Sequence, residues 1–528
     1  MKKGQFALNC GIRISFLLLI LTVCSSSNNT TSEQKSNPVL QYTISMPEPS
    51  NHYYHIELYC RGWIKDTIDF KMPKWTPGYY QIMDYAKEVT NFSAKDKNGN
   101  AISVKSPNDN TWQITVEKNT PFKVNYDVKA DRKFVANNYL DSTHGYIVPA
   151  GAFLYIKEYI NTPVSVKLII NKQWSRIATG LDPVPGKTNE FFASDFDMLY
   201  DCPILAGNLE ELPPFKTKGI EHRFIGYKLG SFNKEEFITN LTKIVQAGVE
   251  IFSDIPYKQY TFIGIGPGYG GIEHLNNTTV SFNGNGLDKK ESMNRMMSFL
   301  AHEYFHNFNV KCIRPYELGP FDYDKENKTN LLWVSEGLTV YYEYLIVKRA
   351  GLISEQDFFR NFESSINAYE NNPGRFYQSL TQASFNTWSD GPFGKQGVDA
   401  DKSISYYDKG PVIGLILDFA IRHATQNKKS LDDVMRLLYW HYYKELQRGF
   451  TDAEFQQACE SVAGISLIPE FEYINTTREI DYATYLSYAG LKIGVETNKE
   501  NGNRKFTISR LDSLNSIQYN ILQTWQGK

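Results

Sequence analysis

His302-Glu303-Tyr304-Phe305-His306 is the stretch on which the reading of this 528-residue chain turns. Around it, Met293, Met296, Met297 and Leu300 recur at helical spacing, and Asp288 is placed to cap a helix running to about Asn309. Within such a helix a separation of four residues puts both imidazoles on one face, one turn apart, where they can share a metal ion. Neutral imidazoles suit Zn²⁺, and the glutamate between them can take a proton from water that the metal activates. The bland alternative, two histidines on a solvated helix face beside a chance glutamate, leaves that pattern unused.

A catalytic zinc site needs a third protein ligand and an open position. Glu336, in Trp333-Val334-Ser335-Glu336-Gly337, stands at or near the start of a second helix expected over 331–349. Its position thirty residues beyond His306 allows a carboxylate to return to the first helix. Glu343, two helical turns later, is a rival, and Asp322 and Asp324 are loop alternatives. Spacing alone leaves the choice open.

Further chemistry is offered by Gly266-Pro267-Gly268-Tyr269-Gly270-Gly271-Ile272-Glu273-His274. Glycines such as Gly270 and Gly271 let a backbone lie close to a bound peptide, which can pair with it as an added strand, and Glu273 could hold an α-ammonium. Many glycine-rich loops only turn the chain. His274 reads as a loop or supporting residue rather than a ligand. In Tyr406-Tyr407-Asp408-Lys409-Gly410, ahead of a helix expected over 411–425, a phenol could donate to an oxyanion. Among 35 tyrosines that inference has little force by itself.

The rest of the chain frames these motifs. From about 39 to 210 it reads as strands: Phe122, Val124, Tyr126 and Val128 alternate with polar residues, and 164–170 is rich in β-branched residues. Pro213-Pro214 makes a plausible boundary. Beyond it Asn233 can cap a helix carrying Phe237, Leu241, Ile244, Gly248 and Ile251 on one face, and short strands follow at 260–265 and 278–282. A further helix is expected at 431–445, and a hairpin turning at Asn501-Gly502 near the end. Hydrophobic residues at 41% and charged residues at 22% indicate a globular protein of two or three domains. A formal charge of -2 offers no basic face, so nucleic acid is not an expected partner. No disulfide framework is implied by Cys60, Cys202, Cys312 and Cys459, which are widely scattered.

The first 24 residues read as an export signal: Lys2, Lys3 and Arg13 precede a short apolar run over 14–23, too short to span a bilayer. Leu21-Thr22-Val23-Cys24, followed by a polar tether to residue 38, resembles a bacterial lipoprotein signal, in which Cys24 would be lipidated. Ordinary cleavage within 25–27 is the alternative. Either route implies the bacterial cell envelope, lipid-anchored at the outer membrane or in the periplasm.

Taken together, these strings resemble the glycyl aminopeptidase family of gluzincin zinc metallopeptidases over roughly residues 39–490. The resemblance is carried by Pro73-Lys74-Trp75-Thr76-Pro77-Gly78-Tyr79-Tyr80 with Asp84-Tyr85, and by the catalytic string running on through Asn309-Val310-Lys311 and Arg314-Pro315. The resemblance implies that Glu336, not Glu343, completes the zinc ligands, that Gly270-Gly271-Ile272-Glu273-His274 binds the substrate's free amine, and that Tyr407 stabilises the oxyanion. Phe308 stands where a tryptophan is usual, and Cys312 where an arginine is usual. The expected architecture is α+β and multidomain: an N-terminal antiparallel β domain over 39–212, then a mainly helical thermolysin-like domain over 216–480. A short C-terminal β tail over 481–528 resembles an incomplete PDZ-like domain, because only about forty residues follow Gly490. The expected activity is zinc aminopeptidase on peptides, with one Zn²⁺ per chain, Glu303 as general base and a preference for small first residues such as Gly or Ala. No protein partner is indicated. The alternatives are an endopeptidase with the same metal, or a surface lipoprotein that binds without catalysis.

Overall fold

A computed structural model describes residues 38–500 and 502–528. The export signal, the tether up to residue 37 and Cys24 lie outside the described residues, as does Asn501 of the expected hairpin turn.

Alternating side chains build the first half. Strands β1 (Val39–Ser45), β2 (Tyr53–Arg61), β3 (Phe122–Lys129) and β4 (Val164–Ile169) form the centre of an eight-stranded sheet. Pairing is antiparallel between β1 and β2 and between β2 and β3, but β4 joins β1 in parallel. Phe122, Val124, Tyr126 and Val128 all turn inward and are almost wholly buried, each contributing roughly 1.5–3 kcal/mol by leaving water.

The second half is helical around a smaller, six-stranded sheet. Its strands β5 (Ile220–Gly226), β6 (Gln259–Gly264) and β8 (Asn277–Val280) run parallel, and β7 (Gly271–Glu273) adds antiparallel to β8 as the edge. Glu210–Glu211 and Phe215–Thr217 also pair with β5, so Pro213-Pro214 lies between two strands of one sheet. Helix α1 (Lys234–Phe252) starts as its cap predicts, with the Asn233 side chain accepting from Glu236 N–H at 3.1 Å.

Helix α2 (Lys290–Phe305) departs from expectation at both ends. Asp288 does not cap it; its carboxylate instead accepts from the Asn233 N–H at 3.2 Å, tying the starts of α1 and α2 together. The helix stops at Phe305, leaving His306 as the C-cap residue in helical geometry. Helix α3 (Leu338–Arg349) is preceded by a π-helical turn over Trp333–Gly337, and helix α4 (Glu355–Glu370) follows. Helix α5 (Tyr406–Ala424) begins five residues before Pro411, which suggested a first turn, because Ser405 Oγ accepts from Tyr407 N–H at 3.1 Å.

At the end of the chain, hairpin strands β9 (Leu491–Thr497) and β10 (Arg504–Arg510) are followed by helix α6 (Ser516–Trp525), which periodicity had not signalled. This tail shares the core of the helical half. Trp525 packs against Phe358 and Phe419 and donates its indole N–H to Tyr341 of α3 at 3.0 Å. Asn367 and Glu363 of α4 accept from the N–H groups of Phe506 and Ile508.

Candidate metal centre and substrate cleft

The last turn of α2 presents His302 and the helix end presents His306, with their Nε2 atoms 3.1 Å apart. Glu336 Oε2 lies 3.3 Å from His306 Nε2 and 3.8 Å from His302 Nε2. Among the described residues, these three form the one cluster whose ligand atoms converge within 4.8 Å. The tautomers follow from the outer partners. His306 Nδ1 sits 2.8 Å from the Asn309 carbonyl, and His302 Nδ1 sits 3.3 Å from Glu343 Oε2. Both Nδ1 atoms therefore carry hydrogen, and both Nε2 atoms turn toward one another across 3.1 Å and toward the Glu336 carboxylate. Such an arrangement draws in a positive charge, a shared proton or a cation, and two imidazoles with one carboxylate suit zinc. Glu343 is thus an orienting group behind His302. Asp322 and Asp324 are engaged away from the cluster: Asp324 pairs with Lys71 at 2.7 Å, and Asp322 with Lys157 at 3.8 Å.

Glu336 is delivered by the π-helical turn, a device that re-aims a side chain within a helix. Asn309 braces it, donating from its amide to the carbonyls of Val334 at 2.7 Å and Ser335 at 3.2 Å. One residue therefore fixes His306 through its backbone and the Glu336 turn through its side chain. Gly337 and Gly410 explain why two of the strings end in glycine. A Cβ on Gly337 would stand 2.6 Å from Gly410 Cα, and a Cβ on Gly410 2.4 Å from Gly337 Cα. Backbone-to-backbone contact brings α5 close enough for Tyr407 OH to donate to Glu336 Oε2 at 2.9 Å. Although burial would raise the Glu336 carboxyl, the His306 and His302 imidazoles hold it well below the usual range.

Glu303 is buried beside this cluster, and burial pushes its carboxyl up to about 7 against the pull of His302 and His306. Its carboxylate abuts β7: a Cβ on Gly271 would meet Glu303 Oε1 at 2.4 Å, so any larger residue here would displace the carboxylate. Gly270 takes φ +87°, the left-handed region that favours glycine. Two residues beyond Gly271, Glu273 is buried and its Oε1 has no hydrogen-bond partner. Gly78, from the first half of the chain, closes over it, with its Cβ position 2.8 Å from Glu273 Oε2. Trp75 reaches into the helical core alongside, donating to the Asp322 carbonyl at 3.0 Å.

His274 is a supporting residue. Its Nδ1 meets Asp201 Oδ1 at 3.0 Å, and the same oxygen receives Lys311 Nζ at 2.6 Å. Burial alone would raise the Asp201 carboxyl, but Lys311 and His274 hold it at about 2. Asp201 carried no sequence signal, since its partners lie 73 and 110 residues away. Phe308 stacks on Phe252 with centroids 4.2 Å apart, and Cys312 is buried, its thiol pushed up to about 12; neither reaches the cluster.

Residues 41–208 match the Peptidase M61 N-terminal domain, and residues 295–413 match the M61 glycyl aminopeptidase domain. The chain belongs to the M61 glycyl aminopeptidase family. The two M61 matches hold, between them, the Trp75–Tyr80 string, the His302–His306 helix, Glu336 and Tyr407. Among solved structures, an aminopeptidase N family protein from Idiomarina loihiensis aligns with TM-score 0.81 and 26% identity, over 88% of this chain and 81% of that one. An M1 zinc metallopeptidase from Deinococcus radiodurans shares the fold at TM-score 0.51 and 12% identity, over 84% of this chain and 94% of that one. A mutant of that enzyme has been solved bound to a Tyr-Ser-Ala substrate. No curated protein matches the sequence. The M61 fold and family make this chain a peptidase with a metal-binding cluster in its catalytic half.

Proposed function

We propose that this M61 chain is a zinc aminopeptidase that removes small N-terminal residues from peptides. The observation that carries the reading is Glu273: a buried carboxylate oxygen without a partner, two residues along an edge strand from the glycine against which Glu303 rests. A buried anion left unpaired is costly, and a substrate α-ammonium would satisfy it.

His302, His306 and Glu336 would hold the zinc, with Glu343 and the Asn309 carbonyl orienting the two imidazoles. When bound, zinc supplies a Lewis acid that polarises a carbonyl and acidifies water. Glu303 accepts the proton of the attacking water and then passes it to the departing amine. The Tyr407 phenol, poised at Glu336, donates to the oxyanion that forms on the attacked carbonyl. Glu273 anchors the amine, and β7 offers its free edge to the peptide backbone. Gly78 and the residues around it crowd Glu273, which favours a first residue as small as Gly or Ala.

The decisive experiment pairs metal analysis with hydrolysis of Gly- and Ala-anilides. We expect about one zinc per chain, and turnover that a chelator abolishes and zinc restores. Peptides acetylated at the N-terminus should resist cleavage; if they are cut as fast as free ones, the enzyme is an endopeptidase. A protein with neither zinc nor turnover would instead be a binding lipoprotein. We also infer export and lipidation at Cys24 from the N-terminal sequence; among the described residues no helix is long and apolar enough to cross a membrane. Radiolabelled palmitate should enter the native chain and not Cys24→Ala.

A further inference from the structure

The direction of β7 determines where the rest of a substrate must go. Gly271 rests against Glu303 and Glu273 lies at the far end of the strand, so a peptide with its amine at Glu273 and its first carbonyl near Glu303 continues back along residues 270–266. Three residues of an extended substrate beyond that carbonyl span about 10 Å, while residues 266–269 of the loop bend back, so the fourth or fifth substrate residue passes over the wall that this loop makes. There the structure holds a pocket. Residues 266–268 form one wall, and Lys133, Phe134, Tyr139, His144, Tyr146 and Tyr227 form the others.

The pocket is aromatic, and its three tyrosine hydroxyls are already engaged. His144 stacks on Tyr227 with ring centroids 3.9 Å apart. Tyr139 OH donates to Asp141 at 2.7 Å, Tyr146 OH to the Val135 carbonyl at 2.7 Å, and Tyr227 OH to Thr143 Oγ1 at 2.9 Å. Ring surface is what remains for a ligand, and offset or edge-on aromatic pairing suits it. The loop wall depends on glycine: a Cβ on Gly268 would stand 2.8 Å from Ser281 Oγ, and Gly266 takes φ +100°. At the solvent-exposed mouth, Lys133 Nζ lies 4.9 Å from the Tyr139 ring centre.

We propose that this pocket is a distal subsite for the leaving peptide: it takes an aromatic side chain at the fourth or fifth substrate residue, and Lys133 pairs with the terminal carboxylate of a peptide that ends there. The proposal rests on the aminopeptidase reading above, which sets the direction of the bound chain. It makes the enzyme a trimmer of short peptides with aromatic C-terminal ends.

The test compares kcat/KM for Ala-Gly-Gly-Phe and Ala-Gly-Gly-Gly-Phe with their all-glycine counterparts, with their C-terminal amides and with alanine anilide. Burial of the phenyl ring should raise kcat/KM by about tenfold or more over the glycine peptides, and the free carboxylate should add several-fold over the amide. Each variant is judged by its ratio of peptide to anilide turnover, so that a general loss of folding or activity cancels. Tyr227→Ala should erase the phenylalanine preference, and Lys133→Ala, at an exposed position, should erase the carboxylate preference alone. Anilide turnover without discrimination among the peptides overturns the subsite and leaves the aminopeptidase reading standing. A preference that survives both substitutions overturns it as well. If neither anilide nor peptides are cleaved, the aminopeptidase reading fails and the subsite falls with it.

Discussion

On the proposed function, two glutamates with no direct bond to the metal ligands carry the chemistry that distinguishes this site. Glu303→Gln keeps the shape and removes the base, so kcat should fall by about 10²–10⁴ while zinc content is unchanged. Zinc lost together with activity would mean that Glu303 supports the metal instead. Glu273→Gln removes the charge that holds the amine. It should lower kcat/KM on free peptides by about a hundredfold, the scale of a charge-assisted bond lost inside a protein, and leave little difference between free and acetylated substrates. At this scale the sequence was most legible. His302, Glu303 and His306 are linked by helical periodicity, which acts over a single turn. Glu336 was one of several acceptable carboxylates by spacing, and Glu343 turned out to orient His302 from behind.

Elements must approach one another closely to complete the cluster. Helix α5 packs its Gly410 backbone against Gly337, and Tyr407 reaches Glu336 only because of that approach. Gly410→Ala should destabilise the protein by roughly 1–3 kcal/mol, read from the midpoint of urea unfolding, and should also lower kcat. Full stability would show that the contact has slack. Asn309 couples the end of α2 to the π-helical turn, and Asn309→Ala should weaken zinc binding about 10–100-fold in a chelator competition without altering the three ligands. The helix starts that rested on local capping were read correctly at Asn233 and wrongly at Asp288, whose carboxylate bonds a distant backbone N–H instead. Similarly, α5 starts before Pro411 because Ser405 supplies a cap that proline had overshadowed.

Across the whole molecule, the first half and the helical half meet at the substrate cleft. Gly78 covers Glu273, and Asp201 bonds both His274 beside it and Lys311 beyond the catalytic helix. Asp201→Ala leaves the partly buried Lys311 without its carboxylate and should cost roughly 1.5–3 kcal/mol. The same contact sets a pH dependence. The folded carboxyl lies at about 2, below an ordinary aspartate near 3.8, so its contribution is complete above the ordinary value and is lost as pH falls toward 2. Unfolding midpoints should therefore drop more steeply through that acid window in the native chain than in Asp201→Ala; parallel curves would exclude the linkage.

Local rules were enough to read the alternating strands of the first half and the helical pairing of His302 with His306, because periods of two and of 3.6 residues are written into consecutive positions. Tertiary structure alone decided the rest: that Glu336 is turned inward by a π-helical turn, that α6 shares the catalytic core, and that Asp201 ties Lys311 to His274. Each of these depends on groups far apart in sequence whose contact becomes favourable only once burial removes the competing water.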